Sequence, residues 1–125
     1  ERGIRSLQIV HQLDNRFTGA AIHHKIFKFF QKVRNILTDF RFKSFDVDEN
    51  GFNKKGLTAE GFEIVREMMN LRMMVDLAHI SEKGVSQIAP MLESRVVSYP
   101  AFISHGHDRE MMADEKGDQE KATPC

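Results

Sequence analysis

Gly56-Leu57-Thr58-Ala59-Glu60-Gly61-Phe62-Glu63-Ile64-Val65-Arg66-Glu67-Met68-Met69-Asn70-Leu71, followed after Arg72 by Met73-Met74-Val75-Asp76-Leu77-Ala78-His79-Ile80-Ser81, decides how this chain folds. Thr58 stands at an N-cap position, Leu57 and Phe62 at the two positions of a hydrophobic staple, and Glu60 in the first helical turn. Phe62, Val65 and Met69, with Met68 beside them, recur at helical spacing and predict one apolar stripe on a helix that ends near Leu71. The run from Met73 to Ala78 is short and mostly apolar, and it stops at a histidine. It reads as a buried strand.

Reading outward, Ser81 is a second N-cap, for a helix carrying Val85, Ile88, Ala89 and Leu92, with Pro90 as an interruption. A further strand is expected within 96–104, broken or started by Pro100 and ending at His105. Upstream, the β-prone run Ile4 to Val10 ends at His11, and residues 12–21 read as a polar loop. Residues 22–45 are predicted helical, with Ile26, Phe29, Phe30, Val33 and Leu37 at spacings of three and four. Asp46 to Gly56 is rich in turn residues, and 113–125 forms a polar tail without periodicity. The order strand, helix, strand, helix, strand points to parallel βαβ units and an α/β fold. The separation of His79 and His105 is close to one repeat of a barrel in which ~250 residues make eight units. The expected architecture is a partial (β/α)8 TIM-type barrel of about three βα units. Residues 22–56 form a helical and turn-rich insertion in it.

Composition narrows the function classes. Eighteen basic residues balance eighteen acidic ones, so the basic stripe of a nucleic-acid binder is not expected. Cys125 is the single cysteine, which rules out an intrachain disulfide. No apolar run approaches the ~18 residues of a membrane span, and no secretory leader is visible. The chain opens Glu1-Arg2-Gly3 without methionine and is expected to be a segment of a longer protein. Its cellular location stays open.

Three apolar runs end alike, at His11, His79 and His105. In a parallel sheet the C-terminal strand ends share one rim, where ligands bind. Three imidazoles there make a metal or acid–base site; the plainer reading is that each histidine caps its strand through nearby backbone. Asp46-Val47-Asp48-Glu49-Asn50-Gly51 also matches the first half of an EF-hand calcium loop. Its twelfth position, where a bidentate glutamate belongs, is Leu57, and Lys54 stands at the ninth. An Asx turn is the plainer reading there.

The stretch Gly56 to Leu71 with Met73 to Ser81 closely resembles the most typical segment of the membrane (renal) dipeptidase family, a GLT…VVREMN-L helix followed by a strand ending in histidine. Ser104-His105 resembles that family's second such element, and Val10-His11 with Asp14-Asn15 resembles another. The resemblance implies zinc-dependent hydrolysis of dipeptides by a metal-activated hydroxide. It makes His79 and His105 ligands of one zinc in a binuclear site and places His11 beside the substrate, where it assists the developing oxyanion. It also implies a first-strand His-x-Asp pair, a bridging carboxylate and a late aspartate that this chain does not contain, so the segment alone is expected to be inactive.

Residues 106–110 depart from the family pattern. Arg109 is either a substrate-carboxylate ligand or a surface ion-pair partner of Asp108 or Glu110. His23 and His24 read as exposed helix residues, and Asp76 receives no role. Two further classes stay open: a calcium-binding helix–loop–helix module resting on Asp46, Asp48 and Asn50, and a barrel homologue without activity. A partial barrel leaves sheet edges open. The isolated chain is therefore expected to self-associate, as measured by light scattering; a monodisperse monomer with a cooperative melt would refute this.

Overall fold

The computed structural model describes residues 3–22, 45–94 and 98–105. The helix expected over 22–45, with His23 and His24, falls outside these residues apart from its two ends. So do residues 106–125, and with them Arg109 and the polar tail.

β1 (Ser6–Gln8), β2 (Met74–Asp76) and β3 (Ala101–Phe102) form a three-stranded parallel sheet in the order β1-β2-β3. Each strand is shorter than its apolar run. β1 occupies the middle of Ile4 to Val10, and β3 begins one residue after Pro100, which cannot donate to the ladder. Pairing runs Ser6 to Met74, Leu7 to Val75 and Gln8 to Asp76, then Val75 to Ala101 and Asp76 to Phe102. The Met74 N–H donates to the Arg5 carbonyl at 2.8 Å and the Leu77 N–H to that of Phe102 at 2.9 Å, extending the ladder past the strands. The Tyr99 hydroxyl donates to the Met73 carbonyl at 2.8 Å and so holds the approach to β3 against the start of β2.

The helix α1 (Ala59–Asn70) starts where the sequence placed it: the Thr58 hydroxyl accepts from the Gly61 N–H at 3.1 Å. Its stripe is Gly61, Val65, Met68 and Met69, with Phe62 half-buried at the margin. The helix ends in a Schellman pattern. The Met73 N–H reaches the Met68 carbonyl at 2.9 Å, and Arg72 takes the left-handed conformation (φ 57°) that glycine usually supplies. The second helix, α2 (Glu82–Glu93), is capped by Ser81, whose hydroxyl accepts from the Gly84 N–H at 3.1 Å. It buries Gly84, Ile88 and Leu92, and Pro90 stays inside it on the exposed side. Val65, Val75 and Ile88 are fully enclosed and join the two helices to the sheet in one core.

Residues 12–21 are only half the polar loop that their composition suggested. Thr18, Ala20 and Ala21 are buried. Two neighbouring side chains carry the backbone inward: Asp14 Oδ1 accepts from the Ala20 N–H at 2.9 Å, and Asn15 Oδ1 from Phe17 and Thr18 at 2.8 and 3.1 Å. Asn53, 2% exposed, ties the turn-rich stretch to this loop through Asp14 (2.7 Å) and the Ala20 carbonyl (2.8 Å).

Two substitutions test this assembly. A Cβ on Gly61 would collide with the Phe17 carbonyl oxygen, which already accepts from the Thr58 N–H. Gly61→Ala should therefore lower the melting temperature, although the same change at an open helical site gains about 1 kcal/mol. Ser81→Ala removes both the α2 cap and the bond from Ser81 Oγ to the Lys55 carbonyl (2.7 Å), and should cost about 1–3 kcal/mol by denaturant titration.

Candidate metal centre

The register of the sheet creates the site. Gln8, Asp76 and Phe102 form one cross-strand row, and His11, His79 and His105 each lie three residues beyond it. The three rings meet. Their metal-capable atoms all lie within 4.8 Å of one another, and the His79 ring centroid is 4.5 Å from both the His11 and the His105 centroids. His79 Nε2 and His105 Nε2 are 2.5 Å apart. His79 is buried, while His11 and His105 are exposed. Among the described residues the sequence-predicted histidines are thus brought together.

His79 occupies the turn between β2 and α2 in the left-handed conformation, with φ 64°. Histidine visits this region more readily than most residues, and elsewhere such geometry recurs at functional sites, where surrounding structure holds it. Here the holding groups come from the buried half of loop 12–21. The Ala21 N–H donates to the His79 carbonyl at 2.8 Å, the Ser81 N–H to that of Gly19 at 3.0 Å, and Ala20 bridges Ile80.

Asp76, assigned no role on sequence grounds, organises the rim. Only 5% exposed, its Oδ1 accepts from the Ala78 N–H at 3.0 Å and from the Ser104 N–H at 3.1 Å. One carboxylate thereby ties the chain leading to His79 to the chain leading to His105. Burial pushes the Asp76 carboxyl up. Hydrogen bonds from the Ser104 hydroxyl and from the Ala78 and Ser104 backbone, with the charge of His105, outweigh that and leave it below the usual aspartate value. The available signal was an acid inside an apolar run, MVDLA, since a buried charge needs donors around it.

The donor set suits a borderline-soft cation such as zinc, for which imidazole is a common ligand. Two ligands of a tetrahedral zinc with bonds of ~2.0–2.1 Å sit about 3.3 Å apart. The His79 and His105 nitrogens would need to separate by less than ~1 Å to reach that spacing, a side-chain adjustment.

The calcium-loop residues behave otherwise. Asp48 Oδ1 accepts from the N–H groups of Asn50 and Phe52, both at 2.9 Å, and Asp46 pairs with Lys54 at 3.2 Å. The stretch closes as a small hairpin turn, with Gly51 at φ 82° and Val47 bridging Asn53. At the start of α1, Glu60 forms a forked ion pair with Arg16, at 2.6 and 2.7 Å, on the open surface. Among the described residues no helix is long and apolar enough to cross a membrane.

A protein-family model described as membrane dipeptidase (peptidase family M19) matches residues 1–117. Neither the curated proteins nor the solved structures offer a match to the chain.

The turn at His79 can be tested apart from any ligand. Asparagine tolerates the left-handed region and a β-branched residue does not. His79→Asn should melt higher than His79→Val by the equivalent of about 1–2 kcal/mol. Equal melting temperatures for the two variants would show that the turn is unstrained.

Proposed function

This chain belongs to the membrane dipeptidase family, and on that premise we propose that it supplies part of the zinc centre of a dipeptide-hydrolysing metallopeptidase. The observation that carries the reading is the convergence of His11, His79 and His105 at the C-terminal rim of three parallel strands. The sheet is read as one section of a (β/α)8 barrel, with this rim as its catalytic face.

His79 and His105 are assigned as ligands of one zinc through Nε2, since these two atoms face each other across 2.5 Å. When bound, zinc supplies Lewis-acid polarisation of the scissile carbonyl and a nucleophile at neutral pH. His11, exposed and with its ring centroid 4.5 Å from that of His79, is assigned to donate to the carbonyl oxygen as negative charge develops on it. The buried His79 turn sets the depth of the site, and Asp76 keeps the two ligand-bearing segments at fixed separation. Arg109, outside the described residues, is assigned to the dipeptide carboxylate, for which a guanidinium fork is the matching shape. The family reading also carries a binuclear centre completed by residues beyond those that converge here.

Metal analysis and calorimetry test the assignment. Zinc should bind stoichiometrically, and His79→Ala or His105→Ala should weaken it on the order of a hundredfold or more, because a direct ligand is lost. His11→Ala should retain zinc while reducing the rate of dipeptide hydrolysis by the enzyme that carries this segment, by about 10²–10⁴-fold. Zinc binding indifferent to both His79 and His105 would overturn the reading.

A further inference from the structure

His11 stands where the chain leaves β1 for loop 12–21, three residues past the last strand residue, and its ring is exposed. The half-buried Asn15 closes the stretch that carries it. Asn15 Nδ2 donates to the Ile9 carbonyl at 2.6 Å, on the near side of His11, and Oδ1 accepts from Phe17 and Thr18, beyond it. The two ends of this amide cannot be exchanged. A backbone N–H only donates and a carbonyl only accepts, so the oxygen must face Phe17 and Thr18 and the nitrogen Ile9. The backbone of Asn15 is held as well: its N–H donates to the Thr18 carbonyl at 3.1 Å, and its carbonyl accepts from Lys55 Nζ at 2.8 Å. Ile9 belongs to the buried core, so the loop is anchored on a fixed point.

We propose that Asn15 is a positioning residue for the hydrolytic step: by pinning the Ile9 carbonyl to the Phe17–Thr18 turn, it keeps the His11 imidazole against His79. A donor that meets developing charge is effective only when it is already in place, and a displacement of ~1 Å can cost about a hundredfold in rate. Asn15 touches neither substrate nor metal in this scheme and acts through His11. The neighbouring pair divides the work. Asp14 accepts from the Ala20 N–H and from Asn53, and so serves the part of the loop that clamps the His79 turn. Asn15 serves the part that carries His11. Only an amide fits there, because a carboxylate would accept from Phe17 and Thr18 but present no donor to Ile9. The inference rests on the assignment of His11 to the substrate carbonyl.

Asn15→Asp, which keeps the acceptor for Phe17 and Thr18 and removes the donor to Ile9, separates positioning from a purely structural role. Nuclear Overhauser contacts in the purified, metal-free protein should join the His11 and His79 rings in the parent. In the variant that contact should be lost while the one between His79 and His105 remains; its persistence would overturn the proposal. In the enzyme that carries this segment, the variant should keep its zinc and its KM and lose about 10–100-fold in kcat, since the lost interaction belongs to the transition state. In a His11→Ala background the same change should cost almost nothing further, because both act through one imidazole. An equal loss in both backgrounds would sink the positioning role. Should Asn15→Asp not fold, the parent decides: an Asn15 side-chain amide exchanging with solvent as fast as that of exposed Asn50 would show that the loop is not closed by this bond. Zinc binding indifferent to His79 and His105 would remove the metal assignment, and the ring contact would still decide whether Asn15 places His11.

Discussion

The parallel register of three short strands is the constraint from which the site follows. Because side chains alternate across a sheet, slipping one strand by a single residue would turn its apolar set toward solvent and move its histidine away from the other two. The register is held from several directions. Val75 is fully enclosed at the centre of the sheet, the Tyr99 hydroxyl fixes the approach to β3 on the Met73 carbonyl, and the Leu77 N–H donates to Phe102. Once Gln8, Asp76 and Phe102 stand in one row, equal three-residue extensions deliver three imidazoles to one place.

Such a rim is made of backbone that has left the ladder, so its polar groups need other partners. Asp76 satisfies two amides at once, those of Ala78 and Ser104, and its own burial is offset by those donors. On the far side of the turn, the loop at 18–22 supplies the counterparts for His79, Ile80 and Ser81. The left-handed backbone at His79, which costs about 1–2 kcal/mol in isolation, persists because it is clamped from both directions. Among the described residues no enclosed side-chain nitrogen or oxygen lacks a hydrogen-bond partner, which fits a rim built for fixed geometry.

What the sequence disclosed and what it withheld divide along the range of the interactions. Thr58 and Ser81 as caps, the stripe through Val65 and Met69, and the α/β alternation all depend on neighbours within a turn or two, and each is found where it was expected. The gathering of His11, His79 and His105 was legible for a related reason, since parallel strands align their C-terminal ends. The burial of residues 18–22 was not legible. It depends on Asn53 reaching back to Asp14 and Ala20, and on Lys55 accepting from Ser81, contacts between remote segments that leave no periodicity. The end of α1 was placed near Leu71, but its left-handed residue is Arg72 rather than glycine, so the usual letter for that geometry was missing.

The two motif-like signals in the chain are separated by where their acceptor atoms are spent. Asp46, Asp48 and Asn50 have the letters of a calcium loop, yet the Asp48 oxygen is taken by amides of its own turn and Asp46 by Lys54. A cation entering there would have to displace donors already at hydrogen-bond distance, with no bidentate carboxylate at the twelfth position to offset the loss. At the histidine rim the backbone amides are satisfied by Asp76 and by loop 18–22, and the imidazoles themselves are turned toward one another. Ligand capacity accumulates where neighbouring groups have met the needs of the backbone and left side-chain nitrogens facing a common point. By that criterion the donor atoms that converge among the described residues are those set by strand register, not those of the local string Asp46 to Asn50.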